Sequence, residues 1–276
     1  RDDQTLVALV HPSEVLAAEG EDFQASTFRL LIADLGAEGP DPSKVRAVEI
    51  DDFQPNWLGY ATWSIRLSPN GRWAAISGYE KVGERQEVDP DTGAQESVDV
   101  LEITTAIIDV EEAKAFARVR SAGPVAFTPD SGTMVGFRYE PTGDSTRTLL
   151  VFTDLPSLQE TVVEVPYLYP VYYVTPGGDM VVTYGAFGSG EDDHVLITSL
   201  DTGESTTTTG PSLHLNEFVV TPDGATIVAA YEGGLYRLGV YDAEAVALRD
   251  ASYGAENVNL LPDGDTLLVS RQQGQG

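Results

Sequence analysis

The chain has 276 residues, of which 44 are acidic and 16 are basic, so its formal net charge is −28. That charge repels the phosphates of nucleic acids and of anionic lipids, which excludes a general nucleic-acid binder and disfavours docking on a membrane surface. Hydrophobic residues make up 42% of the chain, which is too many for a disordered acidic tail. No apolar run approaches the roughly 20 residues that span a bilayer. We therefore expect a folded acidic protein without membrane insertion.

Cysteine is absent, which excludes disulfides, thiolate metal sites and cysteine nucleophiles. The sequence begins at Arg1 without a signal-peptide pattern, so we expect a processed or partial chain. Acidic surfaces stay soluble where salt screens their self-repulsion. Together with the lack of cysteine, this composition favours an extracytoplasmic protein that is periplasmic, secreted or held at the cell surface.

One pattern recurs along the chain, an apolar strand followed by a Pro-Asp-Gly-like turn and a second apolar strand. Proline fixes φ at the first corner of the turn, Asp or Asn bonds back to the local backbone, and Gly accepts a positive φ. The flanking residues are β-branched and apolar, as buried strands require. The copies lie at residues 67–71, 127–132, 174–178, 220–224 and 261–264, with a degenerate copy at 2–8.

A second pattern follows each first one, a strand that ends in aspartate and leads through a short turn into another strand. We interpret these aspartates as turn caps rather than metal ligands, because they recur in five units. They are Asp34, Asp109, Asp154, Asp201 and Asp242. Each unit thus holds four strands, which we call a, b, c and d, at a period typical of propeller blades.

The Pro-Asp-Gly turn between two strands, with aspartate closing the third, resembles the WD40-like β-propeller repeats of TolB-type and YVTN-type bacterial proteins. Residues 221–224 through 240–242 are the closest copy. The resemblance implies an all-β fold, a β-propeller of four-stranded antiparallel blades that occupies residues 1–276 as one domain. It does not imply a function, because the same scaffold carries binders, lactonases and peptidase-associated domains. The repeats are approximately 1–56, 57–121, 122–168, 169–212, 213–254 and a partial 255–276.

The strand count sets the expected number of blades. The first repeat supplies strands b, c and d, the next four repeats supply all four strands, and the last supplies a and b. This count falls short of six closed blades and exceeds five. We predict six blades whose closing strands lie outside this chain or are contributed by another segment, with seven and five blades as alternatives.

The connections between strands b and c are the candidate functional segments, because long loops on one face of a rigid scaffold usually carry function. They hold half of the net charge of the whole chain. We interpret them as an acidic face, although solvated loops also collect acidic residues without any function. The segments are residues 11–27, 78–102, 138–147, 184–194 and 231–235.

Four tyrosines stand where a b strand leaves the core, namely Tyr79, Tyr139, Tyr184 and Tyr231. Tyrosine offers apolar area with a polar tip, which suits a protein or glycan partner. The alternative is that these rings pack between blades.

Two acidic segments contain oxygen ligands of the kind that Ca²⁺ prefers. Neither has the spacing of an EF-hand, and the first also fits a simple hairpin tip. The candidate ligands are Asp89, Asp91, Glu191, Asp192 and Asp193. Apart from this possible Ca²⁺, we expect no cofactor.

The sequence carries few catalytic signals. It has no Gly-x-Ser-x-Gly elbow and no glycine-rich phosphate loop, and His194 beside Asp192 and Asp193 is the best candidate for chemistry. Polar residues on the otherwise apolar a strands keep a central-channel site open. The candidates for that channel are His214, Asn216, Asn257 and Asn259.

Three functions remain open from the sequence. The leading hypothesis is a non-enzymatic binding or scaffold propeller that engages a protein partner, expected to be basic, through its acidic and tyrosine-bearing b–c face. The second is a lactonase-like or metal-dependent hydrolase with its site in the central channel. The third is a structural subunit of a larger extracellular assembly, whose open strand edges require a partner.

Overall fold

The fold was analysed in a computed structural model of the chain. The structure describes residues 5–10, 28–36, 39–40, 42–51, 53–55, 65–88, 95–142, 145–166, 170–185, 195–209, 217–231, 234–250, 253, 255–261 and 266–271. The chain forms two compact units, Arg1–Tyr139 and Glu140–Gly276. In the described part, no helix is long and apolar enough to cross a membrane.

The first unit contains two antiparallel sheets. The first sheet has strand order β1-β2-β3, with β4 also pairing with β2. The second sheet has strand order β5-β7-β8-β9, with β6 also pairing with β7. The elements are β1 (Thr5–Val10), β2 (Phe28–Gly36), β3 (Gly39–Pro40), a 3-10 turn (Pro42–Lys44), β4 (Arg46–Ile50), β5 (Phe53–Pro55), β6 (Arg66–Leu67), β7 (Trp73–Val88), β8 (Gln95–Asp109) and β9 (Lys114–Val119).

The next sheet has strand order β10-β11-β12-β13, and the boundary between the two units falls within β11. Its strands are β10 (Ala122–Phe127), β11 (Thr133–Thr142), β12 (Ser145–Asp154) and β13 (Glu160–Val165).

The second unit continues with two further four-stranded sheets and one two-stranded sheet, again with consecutive strands as neighbours. The strands are β14 (Pro170–Val174), β15 (Met180–Gly185), β16 (Leu196–Ser199), β17 (Ser205–Thr207), β18 (Glu217–Val220), β19 (Thr226–Tyr231), β20 (Gly234–Gly239), β21 (Ala245–Arg249), β22 (Ala255–Leu260) and β23 (Leu267–Arg271).

The turn between strands a and b is built by one hydroxyl residue that precedes the proline. Thr221 Oγ1 accepts the N–H of Thr226 at 3.0 Å and donates to Asp223 Oδ1 at 2.5 Å. Asp223 Oδ1 also accepts the N–H of Ala225 at 3.0 Å. The residue that follows Asp223 is Gly224, whose φ of +72° suits glycine. Ser68, Thr128 and Thr175 occupy the position of Thr221 in three other turns.

The turn between strands c and d is capped as the sequence predicts at Asp109 and Asp154. Asp109 Oδ1 accepts the N–H of Glu112 at 2.9 Å, and Asp154 Oδ2 accepts the N–H of Ser157 at 3.0 Å. The equivalent acceptor in the next sheet is Ser199, which bonds the N–H of Thr202 at 3.3 Å. The interpretation of Asp201 as the cap is therefore wrong, because Asp201 lies within the turn, two residues after the capping position.

Neighbouring sheets pack face to face through apolar side chains in each unit. In the first unit, one cluster joins β2 and β4 to β7 and β8, and its members include Leu30, Ile50, Ile76 and Ile108. In the second unit, Val182 and Ile197 pack with Ile227 and Leu238 from the next sheet. A further cluster joins β19 and β20 to β22 through Val228, Leu235 and Val258. These contacts are the face-to-face stacking that blades of a propeller require.

The predicted fold class is confirmed in its architecture, because the described strands form four-stranded antiparallel sheets in consecutive order. The number of blades, the closing strands and the single-domain organisation stay predictions. Two of the predicted b–c loops, residues 78–102 and 138–147, are instead largely β-structure. Paired strands satisfy the backbone hydrogen bonds of these polar segments, so they extend the hairpins of their blades beyond the core.

Candidate partner-binding surface

The β7–β8 hairpin is much longer than its blade. Its two strands keep fifteen paired positions, from Trp73 opposite Asp109 to Val88 opposite Gln95. The neighbouring strands cover only part of this length, because β5 pairs with β7 up to Glu80 and β9 pairs with β8 from Thr105. We call residues 81–88 and 95–101 the arm. A two-stranded ribbon therefore extends beyond the four-stranded part of the blade.

The arm carries polar side chains and exposed valines instead of a core. Val82 is 48% exposed and Val88 is 61% exposed, whereas Ile76 in the blade is 3% exposed. Residues 81–101 include six acidic and two basic residues, which gives a net charge of −4. None of the described side chains of the arm is buried, in contrast to those of the blade interior.

Two glutamates lie opposite each other at the base of the arm, and two arginines neutralise them. Glu80 pairs in register with Glu102 across β7 and β8. Arg118 contacts Glu80 at 2.5 Å, and Arg120 contacts Glu102 at 3.0 Å. Like charges on directly opposite residues are unfavourable, so the arginines stabilise this arrangement. We call these four residues the root cluster. Arg118 also donates to the carbonyl oxygen of Asp51.

Glu84 is the centre of a polar network within the arm. Lys81 Nζ donates to Glu84 Oε1 at 2.7 Å, and Ser97 Oγ donates to Glu84 Oε2 at 2.9 Å. The bond from Lys81, supported by the bond from Ser97, lowers the pKa of Glu84. On the neighbouring part of β7, Arg85 pairs with Glu87. The carboxylate of Glu84 therefore stays ionised at neutral pH.

Two of the predicted tyrosines belong to the neighbourhood of the root cluster. Tyr79 is half-buried, precedes Glu80 and pairs with Ile103 across the hairpin. Tyr139 is half-buried and follows Arg138, whose Nε donates to the carbonyl oxygen of Arg120 at 2.9 Å. Each tyrosine is therefore adjacent in sequence to a residue that belongs to the root cluster or bonds to it.

Tyr184 is a core residue, which corrects its assignment to the partner-binding set. Its side chain is 4% exposed and packs within the cluster that joins two sheets of the second unit. Its ring meets Phe218 edge-on, with 6.0 Å between the ring centroids. Burial raises the pKa of Tyr184 to about 12. Packing between sheets, the alternative interpretation of the tyrosines, is the arrangement found here.

Several predicted site residues lie outside the described part of the chain. For Tyr231, the structure gives only the backbone pairing with Gly234. The candidate calcium ligands Asp89, Asp91, Glu191, Asp192 and Asp193, together with His194, fall outside the described residues. Within the described ranges, no group of three or more histidine, aspartate or glutamate side chains is arranged to hold a metal ion. Calcium binding therefore stays a prediction.

The central-channel candidates are divided in the same way. His214 and Asn216 lie outside the described residues, whereas Asn257 and Asn259 are in β22. Asn257 Nδ2 donates to Ser270 Oγ at 3.2 Å, and Asn259 is exposed and pairs with Leu268. The bond to Ser270 links Asn257 to the neighbouring strand β23.

A polar cleft of about 470 Å³ opens beside the β12–β13 edge in the second unit. Arg147, which lines it, contacts Glu140 at 2.5 Å and Glu164 at 3.8 Å. The contact with Glu140 raises the pKa of Arg147. Because two carboxylates already neutralise this guanidinium, the cleft offers little attraction for an anionic ligand.

The arm and the root cluster were not predicted from the sequence as structured elements. Residues 78–102 contain many charged residues, and a polar segment of this kind reads as a loop. One signal was present, since Asp89-Pro90-Asp91-Thr92-Gly93 lies midway between two stretches of similar length and fits a hairpin tip. The ion pairs that define the root cluster join residues up to 38 positions apart, so no local sequence pattern predicts them.

No protein-family model matches the chain, and no curated protein matches it in sequence. Among solved structures, the chain is similar to hydrazine synthase of Kuenenia stuttgartiensis, with a TM-score of 0.46 and 16% identity over 88% of this chain and 77% of that one.

Two solved β-propeller proteins are also similar to the chain. TolB from Acinetobacter baumannii has a TM-score of 0.44 and 14% identity over 91% of this chain and 55% of that chain, so the present chain spans about half the length of TolB. The β-propeller domain of the trilobed protease from Pyrococcus furiosus has a TM-score of 0.47 and 12% identity over 84% of this chain and 67% of that one. The assignment of four-stranded antiparallel blades is based on the strand orders of this chain and not on these similarities.

Proposed function

We propose that the chain is a non-enzymatic binding or scaffold propeller that engages a basic protein partner through the arm and the root cluster. The observation that carries the proposal is the extension of β7 and β8 beyond their blade, with fifteen paired positions in one hairpin. A blade does not need this extension for its own packing, because its buried residues lie between Trp73 and Gly78 on β7 and between Thr104 and Asp109 on β8. A structured, exposed ribbon of this kind is a common means of contacting another protein.

The charge of the ribbon supports the choice of partner. Residues 81–101 have a net charge of −4 within a chain of −28, and complementary charges steer encounter and select the partner. Tyr79 and Tyr139 supply half-buried aromatic area near the root cluster, and aromatic residues are enriched at the centres of protein interfaces. Tyr184 has no part in the proposal, because its ring is buried.

The test compares partner capture by two proteins that differ only in the arm. In the shortened variant, Asn-Gly replaces residues 82–100 and connects the paired residues Lys81 and Leu101. Wild type and variant are immobilised, exposed to the secreted and cell-surface fractions of the source organism, and compared by quantitative mass spectrometry. We expect proteins that are retained by the wild type and lost from the variant. Capture of the same proteins by both chains would overturn the proposal.

A second variant tests whether loss of negative charge elsewhere on the chain has the same effect. Glu204→Gln and Glu244→Gln remove two exposed carboxylates from the second unit and leave the arm intact. We expect this double variant to capture the same proteins as the wild type. Loss of capture in both variants would indicate a general charge effect instead of a site at the arm.

We extend the proposal to the compartment and infer that the protein acts outside the cytoplasm. The absence of cysteine and the net charge of −28 support this inference. Fractionation of the source cells, with immunodetection of the full-length protein, tests it. Recovery of the protein in the cytoplasmic fraction alone would contradict it.

A further inference from the structure

The arm presents two strand edges that differ in regularity. The outer edge of β7 is interrupted, because the register shifts between Lys81 and Gly83 and Val82 is an extra residue there. Such a bulge disturbs the local ladder and blunts an edge. The pairing of β8 is continuous from Gln95 to Leu101. In the described part of the chain, β9 pairs with β8 only from Thr105, so the outer edge of β8 in the arm is regular and has no strand partner.

The register of the arm brings acidic residues opposite one another at successive levels. Glu80 lies opposite Glu102, Glu84 lies opposite Asp99, and Glu87 lies opposite Glu96. Each such pair costs stability when it is left unneutralised. The root cluster supplies arginines to the first pair. In the other two pairs, Lys81 binds Glu84 and Arg85 binds Glu87, but residues 81–101 keep a net charge of −4. A strand with lysine or arginine side chains would offset this remaining charge.

The same charges determine which strand the edge accepts. A second copy of this chain would place another acidic ribbon beside the first, and like charges would oppose that pairing. A basic extended segment meets attraction instead, and it also covers the half-buried Val98 and Val100 of β8. The edge thus excludes self-association and favours a basic strand.

The geometry points to a strand-addition site on the outer edge of β8, where an extended lysine- or arginine-rich segment of the partner pairs with residues 95–101. The segment would occupy the place beside β8 that β9 leaves when its pairing stops at Thr105. Outward-facing backbone N–H and C=O groups of β8 supply the hydrogen bonds, and the acidic residues select the basic side chains. This inference rests on the proposed function of the arm, and it adds the mode of binding.

Model peptides test the binding mode on the full chain. The probe is a peptide of about seven residues in which lysine alternates with valine or threonine, so that it matches the length of the edge at residues 95–101. Its control has the same sequence with alternating L and D residues, which keeps the charge and composition but cannot form a regular β-ladder. Fluorescence anisotropy at low salt should show that the all-L peptide binds about tenfold or more tightly than the control. Equal binding of the two peptides would overturn strand addition and leave a purely electrostatic arm.

Variants and amide exchange locate the peptide on the chain. Glu84→Gln with Glu87→Gln should weaken binding of the all-L peptide by about tenfold, whereas Glu204→Gln with Glu244→Gln should change it by less than about twofold. Amide hydrogen exchange should slow within residues 95–101 when the peptide is bound, and not within residues 82–88.

The remaining outcomes separate the binding mode from the proposed function. Protection of residues 82–88 alone would overturn the assignment to β8. Peptide binding that neither pair of substitutions weakens would place the peptide away from the arm and overturn the inference. Absence of binding by either peptide would overturn it too, and the capture experiment with the shortened arm would then decide the proposed function separately.

Discussion

The a–b turns have nearly the same structure in the blades where the structure describes them, whereas the b–c hairpins differ in length from one blade to the next. At the a–b end, Ser68, Thr128, Thr175 and Thr221 each accept the N–H of the residue five positions later, at distances between 2.9 and 3.2 Å. At the b–c end, β19 and β20 keep six paired positions up to Tyr231 opposite Gly234, whereas β7 and β8 keep fifteen. The a–b end repeats a single set of hydrogen bonds, whereas the number of paired positions at the b–c end changes from blade to blade.

Burial explains this difference. The a–b turns contact neighbouring turns within each unit, as where the backbone N–H of Asn70 donates to Ser131 Oγ at 3.1 Å. A change in such a turn disturbs two blades at once. The b–c end of the long hairpin lies beyond the core, where Val88 is 61% exposed. Segments beyond the core generally tolerate sequence variation, so we expect this end, rather than the a–b end, to serve binding.

The largest effect expected of a turn substitution tests how tightly the turns are packed. Gly71 and Gly224 both have φ near +70°, but a Cβ at Gly71 meets open space, whereas a Cβ at Gly224 would lie 2.6 Å from Cδ of Pro176. Gly71→Ala should lower the free energy of unfolding by about 1–2 kcal/mol, which is the cost of a left-handed backbone. Gly224→Ala adds a steric overlap and should cost about 2–4 kcal/mol.

Urea unfolding of the two glycine variants measures this difference. The backbone cost is common to both, so the difference between them reports the contact with Pro176. Equal losses would mean that the turn of Pro176 moves away freely, and that the a–b ends are packed less tightly than the structure shows.

The next effect concerns the hydroxyl that organises the turn. Thr221→Ala removes the acceptor for the N–H of Thr226 and the donor to Asp223. We expect a loss of about 1–2 kcal/mol in the free energy of unfolding, because the N–H of Thr226 and the carboxylate of Asp223 each lose a hydrogen bond to Thr221. Thr206→Ala on the exposed strand β17 is the matched control and should change stability by less than about 0.5 kcal/mol. A similar loss in both variants would indicate an effect of threonine content rather than of the turn.

The sequence predicts the a–b end well because its chemistry is local. Proline, Asp or Asn, and Gly stand within a few residues of one another, and each fixes a dihedral angle or a hydrogen bond of the same turn. The turn at Thr221, Asp223 and Gly224 has the predicted form. The prediction from local sequence is wrong where another residue supplies the cap. The sequence assigned the cap of one c–d turn to Asp201, but Ser199 accepts the hydrogen bond there.

The candidate surface depends on long-range pairing, which the sequence does not display. Whether residues 78–102 form a loop or a ribbon is decided by register across the hairpin and by the arginines of the root cluster. Whether a tyrosine side chain is buried depends on how the blades pack. Tyr79 and Tyr184 occupy similar positions in the sequence pattern, but Tyr184 is buried and Tyr79 is half-buried. Burial and ion pairing are properties of the assembled sheets.

A smaller effect should appear in the acid stability of the turns. Bonds from Thr128 and from the N–H of Gly132 lower the pKa of Asp130. A carboxyl whose pKa is lower in the folded than in the unfolded chain stabilises the fold above its unfolded value, near 4, and loses this effect as the pH falls through the folded pKa. Asp130→Asn should therefore lose less stability than the wild type when urea unfolding is compared between pH 6 and about pH 3.

Asn70 provides the reciprocal experiment, since it occupies the position of Asp130 in another turn. Asn70 Oδ1 accepts the hydroxyl of Ser68 at 2.8 Å and the N–H of Arg72 at 2.9 Å without titrating. Asn70→Asp should make the protein more sensitive to acid. Parallel pH profiles for wild type and both variants would show that the turn carboxylates do not contribute.

The smallest effect on stability is expected at the b–c end of the long hairpin. Replacing residues 82–100 by Asn-Gly removes exposed residues and the acid pairs at Glu84 and Glu87, while Ile76 and Ile108 stay packed in the blade. The free energy of unfolding should change by less than about 0.5 kcal/mol. Ile108→Ala, in the buried half of the same strand, should cost about 2–5 kcal/mol and serves as the contrasting variant. A loss of similar size on shortening the arm would show that the ribbon supports the blade, and a structural role would then account for its length without a partner.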